Sequence, residues 1–146
     1  MKNLIYCATL ILTLMLVACD KESVINENQL PKESQTFLDT HFSGIATSAI
    51  IKDKDGLTTT YEVYLVNGFE IDFKKSGEWD DVDCKQSAVP TSIIALLPAG
   101  IAEYCTINFP NVLIVEVNKE HYGYEIGLSN DLDLEFDTDG GFRKID

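Results

Sequence analysis

The sequence predicts an α+β fold in which two tandem helix-plus-four-strand repeats build an antiparallel sheet with helices packed on one face. Three observations predict it. Tyr61 to Asp83 reads YEVYLVNGFEIDFKKSGEWDDVD and Tyr124 to Asp146 reads YEIGLSNDLDLEFDTDGGFRKID, an ungapped echo at an offset of 63, and such self-similarity marks a duplicated structural unit. Within each echo apolar and acidic residues alternate with the period of a half-buried strand. Ahead of each echo stands a proline followed by apolar residues at helical spacing.

The repetition runs through side chains that shape a backbone. Tyr61, Glu62, Leu65, Asn67, Phe73, Gly77 and Asp83 recur as Tyr124, Glu125, Leu128, Asn130, Phe136, Gly140 and Asp146. Upstream, Leu30-Pro31, Phe37, Phe42 and Ile45 align with Leu97-Pro98, Tyr104, Phe109 and Val112 at an offset of 67. The change of offset gives the first copy four extra residues, expected in a loop around Lys52 to Leu57.

Taken in order, the chain opens with Lys2, an apolar run from Leu4 to Val17 and the tetrapeptide Leu16-Val17-Ala18-Cys19. The run is too short for an ordinary membrane span and fits the core of a signal peptide. The tetrapeptide resembles a bacterial lipobox, in which the cysteine takes lipid and the peptide before it is removed. Residues 1–18 are therefore read as a lipoprotein signal peptide and 19–29 as a polar tether lipidated at Cys19. Several acyl chains on one residue suffice for stable anchoring. Asp20-Lys21-Glu22 resembles the acidic signals that sort some lipoproteins to the cell surface. The expected address is the cell envelope, at the outer membrane, facing the periplasm or the exterior, with the lipid as the contact with the bilayer.

Repeat 1 is expected over residues 30–84, a connecting segment with a short helix from Thr91 to Leu97 over 85–96, and repeat 2 over 97–146. Pro31 suits a first helical turn, where its missing N–H costs nothing, and Gly44 suits a stop. In the second copy Pro98 opens a helix carrying Ile101, Tyr104, Cys105 and Phe109, and Pro110 ends it. Ala46 to Lys52 and Leu113 to Lys119 read as the first strand of each repeat. Tyr61, Val63 and Leu65 then alternate with Glu62, Tyr64 and Val66, and Phe69, Ile71 and Phe73 with Glu70, Asp72 and Lys74. Parity fixes the hairpin. A loop of Val66-Asn67-Gly68, with Gly68 in the left-handed position, pairs Leu65 with Phe69, Val63 with Ile71 and Tyr61 with Phe73, keeping every apolar residue on one face. Asp131 stands in the place of Gly68 in the second copy. Trp79 and Val82 are three residues apart, as are Phe142 and Ile145, so a β-bulge or a change of face is expected in each last strand.

Composition limits the function classes. The formal net charge is −13, and 45% of the residues are hydrophobic. A chain so acidic repels nucleic acid, favours cations or basic protein surfaces, and has apolar content enough for a core. Of four cysteines, Cys7 leaves with the signal and Cys19 takes lipid, so Cys84 and Cys105 remain as an even pair for a disulfide in an exported space. The alternative is a small core residue at Cys105 and a free thiol at Cys84.

Asp53-Lys54-Asp55-Gly56 and Asp137-Thr138-Asp139-Gly140 look like the opening of a calcium loop, but neither has the glutamate that completes one. Both read as turns. His41 and His121 are the two histidines, and neither has a recognisable nucleophile or metal-ligand partner in the sequence. No catalytic residue, cofactor or metal site is assigned, and the protein is not read as an enzyme.

The order of Leu-Pro, aromatic-rich helix, Tyr-Glu-Val, Asn-Gly, Phe and a closing Trp/Phe-x-x-Val/Ile-Asp resembles the PepSY-like lipoproteins of Gram-negative gut bacteria. That resemblance covers Leu30 to Asp146 and implies a fold similar to the β-lactamase inhibitor proteins, with tandem repeats of helices against a four-stranded sheet. It transfers no inhibitory residue to a position in this chain.

The strand register puts like charges across from each other on the open face, Glu62 opposite Asp72 and Glu125 opposite Glu135, with Glu70 and Asp133 nearby. Such pairs are mildly unfavourable unless something positive compensates, whether Lys52 or Lys74, a bound cation, or a basic surface of another protein. The expected partner-binding face is therefore Glu62, Glu70, Asp72, Glu125, Asp133 and Glu135, with Tyr64 and Trp79 as aromatic anchors. The expected partner is a protein or peptide with a basic surface, and inhibition of an exported hydrolase is one form its recognition could take. The alternative is a structural or divalent-cation-handling envelope lipoprotein.

Overall fold

In the computed structural model, which describes residues 21–146, nine strands form one sheet in chain order, every neighbouring pair antiparallel. The strands are β1 (Ser23–Val24), β2 (Thr47–Asp55), β3 (Thr58–Leu65), β4 (Glu70–Lys74), β5 (Trp79–Asp83), β6 (Ile114–Glu120), β7 (Gly123–Leu128), β8 (Asp133–Asp137) and β9 (Phe142–Ile145). Helix α1 (Lys32–His41) precedes β2, and α2 (Thr91–Ile94) and α3 (Ala99–Asn108) link β5 to β6. The protein is thus α+β, mostly sheet with two substantial helices.

The apolar alternation builds one core. Val63, Ile71, Phe73, Val82, Val117, Ile126, Leu134 and Phe136 are fully buried on one sheet face, beneath Phe37 and Leu38 of α1 and Ile101 and Cys105 of α3. Phe37 meets Phe73 edge-on with ring centroids 5.7 Å apart and stacks on Trp79 at 5.8 Å. Tyr104 meets Phe136 edge-on at 5.5 Å and stacks on Phe142 at 4.3 Å. Edge and offset contacts of this kind add stability beyond the area they bury.

Each long helix starts against a hairpin turn of the sheet. Pro31 precedes α1 and Pro98 precedes α3, both in extended geometry. A methyl group at Gly77 (φ +95°) would lie 2.7 Å from Pro31 Cβ, and one at Gly140 (φ +84°) equally close to Pro98 Cβ. Only glycine allows that approach. Ser34, buried on α1, seals the first contact by donating its hydroxyl to the Gly77 carbonyl at 3.1 Å.

The hairpins follow the parity argument. Leu65 N–H bonds Phe69 O at 2.8 Å, Tyr61 pairs with Phe73 and Val63 with Ile71, and Gly68 has φ +90°. Asp131 takes φ +61° at the matching place. Both bulges are present: Phe73 pairs with Trp79 and Asp72 with Asp81, leaving Asp80 extra, while Phe136 pairs with Phe142 and Glu135 with Lys144, leaving Arg143 extra.

Several expectations are corrected. Part of the polar tether is structured, because Ser23 and Val24 pair with Lys52 and Ile51 at the sheet edge and Glu27–Gln29 forms a 3-10 turn. The four extra residues of the first half do not form a loop. They lengthen both strands of the hairpin, β2 to nine residues against seven in β6 and β3 to eight against six in β7, so Asp53 to Asp55 lie in a strand and the turn is Gly56-Leu57. Helix α2 stops at Ile94, short of Leu97. The expected Cys84–Cys105 disulfide is not formed. Both thiols are free and buried, Cys84 just after β5 near Gly68 and Cys105 on α3 in a groove with Val89, Ile94 and Phe109. Each fills apolar space in a different part of the core, and burial pushes the Cys105 thiol up to about 11.

Candidate functional site

The sheet face away from the helices is where the polar members of the alternation gather. Because register is continuous through the middle of the sheet, one row of side chains crosses it: Ile51, Glu62, Asp72, Asp81, Asn118, Glu125, Glu135 and Lys144 are successive cross-strand partners from β2 to β9. A second row, one step toward the β3–β4 turn, runs Tyr64, Glu70, Asp83, Glu116, Gly127 and Asp133. Nine carboxylates thus share two adjacent rows of one sheet face.

Their cations lie at the margins. Lys74 reaches Asp80 at 2.9 Å, Lys119 reaches Glu78 at 2.9 Å and Lys144 reaches Glu135 at 3.0 Å. Among the described residues no salt bridge touches Asp72, Asp81, Glu116 or Glu125, and Asp72 Oδ1 and Asp81 Oδ1 are buried without a hydrogen-bond partner.

Protonation responds to this crowding. Burial, with the charges of Glu62, Glu70 and Asp80, pushes Asp72 up to about 6. Burial and the charges of Glu116, Asp72 and Asp83 push Asp81 up to about 8, against a hydrogen bond from the Val82 N–H. Glu116 and Glu125 are also raised, each chiefly by burial and then by neighbouring carboxylates. Loss of water and mutual repulsion both disfavour the charged form, and the attraction of an approaching positive group would offset them.

Two tyrosines hold carboxylates in place. Tyr64 donates to Glu62 Oε2 at 3.0 Å and Tyr122 to Glu125 Oε2 at 3.3 Å. Burial, followed by the adjoining carboxylates, raises both phenols, so both remain donors at neutral pH. Gly127 occupies the place that Tyr64 has in the first half. A Cβ there would stand 2.7 Å from Glu116 Cβ and 3.0 Å from Glu116 Oε2, so its bareness admits Glu116. That side chain borders a cleft of about 260 Å³ with Asp83, Lys85, Asp131 and Asp133.

Of the sequence-assigned residues, Glu62, Tyr64, Glu70, Asp72, Glu125, Asp133 and Glu135 share this face. Glu135 is 9% exposed, covered and paired with Lys144. Trp79 does not share it. The bulge turns Trp79 to the core, where it is 8% exposed against Phe37, with Lys119 Nζ 4.0 Å from its ring centroid. The sequence reading missed Asp81, Asp83, Glu116 and Asn118. A signal for the first two was present, since Asp81 and Asp83 flank core Val82, but the β5–β6 pairing that joins the halves spans the α2–α3 connection and no local pattern announces it.

The aspartate-glycine run at residues 137–140 is a turn. Asp137 Oδ1 accepts the N–H groups of Asp139 at 3.0 Å and Gly141 at 2.7 Å, the usual way aspartate folds its own turn. His121 is exposed at the β6–β7 turn, and His41 Nδ1 lies 2.8 Å from Ser92 Oγ. Among the described residues, no group of three or more His, Cys, Asp or Glu side chains is arranged to hold a metal ion, and no helix is long and apolar enough to cross a membrane.

Comparison with known proteins adds the following. A family model described as "Putative beta-lactamase-inhibitor-like, PepSY-like" matches residues 59–144. A crystal structure from Bacteroides thetaiotaomicron, described as a "putative calcium-regulated periplasmic protein", superposes with a TM-score of 0.80 at 35% identity, covering 86% of this chain and 96% of its own. A Bacteroides vulgatus protein of the DUF2874 family, described as periplasmic, gives 0.79 at 34% identity, with 88% and 98% covered. A second B. vulgatus protein, described as periplasmic and of unknown function, gives 0.80 at 34% identity, with 86% and 99% covered. No curated protein matches the chain.

Proposed function

The chain belongs to the PepSY-like family, and from that premise we propose that it is a lipid-anchored, exported, non-catalytic module that recognises a protein or peptide through its acidic sheet face. The observation that carries this reading is the carboxylate row from Glu62 to Glu135, whose central members Asp72 and Asp81 form no salt bridge among the described residues. Two costs, repulsion and desolvation, are built into that row and would be offset by lysine or arginine side chains of a partner. Tyr64 and Tyr122, fixed by Glu62 and Glu125, offer aromatic surface beside it. The family model's inhibitor-like description makes an exported hydrolase the first class of partner to try.

The address rests on separate support. The lipobox-like Leu16-Val17-Ala18-Cys19 lies outside the described residues, and the similar solved proteins are described as periplasmic, which agrees with a place in the cell envelope. The two halves are read as copies, residues 30–84 and 97–146. Equivalent cross-strand pairs (Tyr61 with Phe73, Tyr124 with Phe136) and equivalent left-handed positions (Gly68 and Asp131, Gly77 and Gly140) support this.

Capture from envelope extract by residues 21–146, at low and at moderate salt, tests the reading. A basic partner should be retained by the wild-type face, weakened by salt, and lost from the Glu62→Lys/Glu125→Lys variant. A partner held equally by the charge-reversed variant refutes the assigned surface.

A second reading, divalent-cation handling, is favoured by the description of the B. thetaiotaomicron relative as calcium-regulated and by the unpartnered oxygens of Asp72 and Asp81. Calorimetric titration with calcium decides it. Saturable heat, abolished by Asp81→Asn, supports the cation reading, and no heat with unchanged thermal unfolding removes it.

A further inference from the structure

Position 21 of the chain is fixed at one end of the sheet. The Lys21 N–H bonds the Lys54 carbonyl at 3.3 Å, and Ser23 and Val24 continue the pairing along β2. Lys54 adjoins the β2–β3 turn, so Lys21, the first described residue, lies beside that turn. Cys19 stands two residues earlier, and two residues of extended chain reach at most about 7 Å. A lipid on Cys19 therefore has little leash, and the bilayer surface must lie near the β2–β3 turn.

That turn is built unusually for a solvated tip. It is Gly56-Leu57, between paired Asp55 and Thr58, and Leu57 is 98% exposed. Tips of this kind ordinarily carry Asn, Asp, Ser or Gly. A single exposed leucine is unremarkable on its own, but this one crowns the hairpin next to the chain's attachment point. The hairpin is also the place where the first half is longer than the second, β2 running nine residues and β6 seven.

Charge agrees with the same direction. In an antiparallel sheet of consecutive strands the β2–β3, β4–β5, β6–β7 and β8–β9 turns share one end, which brings Lys21, Lys52, Lys54, Lys74, Lys75 and Lys119 there beside at least as many carboxylates (Asp53, Asp55, Glu78, Asp80, Glu120, Asp137 and Asp139), so charge at this end is close to balanced. The other end carries Glu70, Asp83, Glu116, Asp131 and Asp133, with Lys85. In a chain of net charge −13, the lysine-bearing end is the one that anionic headgroups repel least.

We propose that the β2–β3 hairpin is a membrane foot: Leu57 seats in the headgroup–acyl boundary beside the lipidated Cys19 and stands the sheet on end, with its carboxylate-rich end away from the bilayer. The inference rests on the lipid anchor proposed above and adds a second, protein-borne contact. One apolar side chain is too small to bind a membrane by itself; tethered next to an acyl anchor, it sets orientation rather than affinity.

The test uses the full lipidated chain reconstituted in vesicles of phosphatidylethanolamine and phosphatidylglycerol with brominated acyl chains. Leu57→Trp is compared with Val66→Trp, whose site is 65% exposed at the opposite end of β3. Buried Trp79 supplies a common background. The emission added at position 57 should be largely quenched and that added at position 66 should survive. Equal quenching at both positions, or none at position 57 in protein that floats with the vesicles, overturns the foot while leaving the anchor intact. An intact mass showing unacylated Cys19, with protein that does not float, overturns the anchor and the foot together.

Discussion

A carboxyl group that is shielded from water and faced by other carboxylates keeps its proton to higher pH, and Asp81 is the clearest case, pushed up to about 8 with Asp72 at about 6. Unfolded, both would ionise near pH 4, so between about pH 4 and 8 the folded chain binds more protons than the unfolded one, and stability falls as pH rises through that window. Glu116 and Glu125 act in the same sense, while Glu78, held low by its bond to Lys119, loses its contribution at the acid end. The thermal midpoint should therefore be higher near about pH 5 than near about pH 8. Asp81→Asn should flatten that dependence and raise stability at the upper pH by on the order of 2 kcal/mol, after discounting for partial solvent exposure. Scanning calorimetry at both pH values checks this, and a midpoint that climbs steadily with pH would refute the account of the row. The thiols give a second residue-scale prediction. Cys84 and Cys105, free and buried, should both resist a thiol reagent in the native protein and both react once it is unfolded in denaturant.

At the scale of the element, the hairpins were legible because parity leaves little choice: Leu65, Val63 and Tyr61 can keep one face only with the three-residue turn that Gly68 permits. The same reasoning located both bulges. It did not place Trp79, because a spacing of three says that a face changes and leaves open which residue changes it; Phe37 and Lys119, distant in sequence, settle the matter by packing around the indole. Strand β1 was illegible for another reason. Two residues have no periodicity, and only the exposed edge of β2 makes Ser23 and Val24 a strand. The helix-to-turn contacts were half legible: proline and glycine recur in both halves, but their mutual approach is a tertiary fact. Gly77→Ala should therefore cost about 2–4 kcal/mol in urea denaturation, combining left-handed strain with a clash against Pro31. Gly56→Ala, where a Cβ meets nothing within 4 Å, should cost only the strain.

Across the whole molecule, sequential antiparallel pairing turns a one-dimensional pattern into a two-sided object, with aromatic and aliphatic residues under the helices and carboxylates on the open side. The outer members of the acidic row, Glu62 with Asp72 and Glu125 with Glu135, were readable because each pair lies within one hairpin. The middle, Asp81 and Asn118, was not, because it forms where β5 meets β6 and the α2–α3 connection separates them in sequence. That junction joins the carboxylates of the two halves into one continuous surface, and on the proposed recognition reading we expect one extended ligand rather than two separate ones. The most direct measurement is a backbone amide chemical-shift titration of residues 21–146 with the partner recovered by capture. The account predicts the largest shifts along Glu62, Asp72, Asp81, Asn118 and Glu125, diminished in the Glu62→Lys/Glu125→Lys variant. Shifts confined to α1, α3 and the loops around them, with the acidic row unmoved, would contradict it.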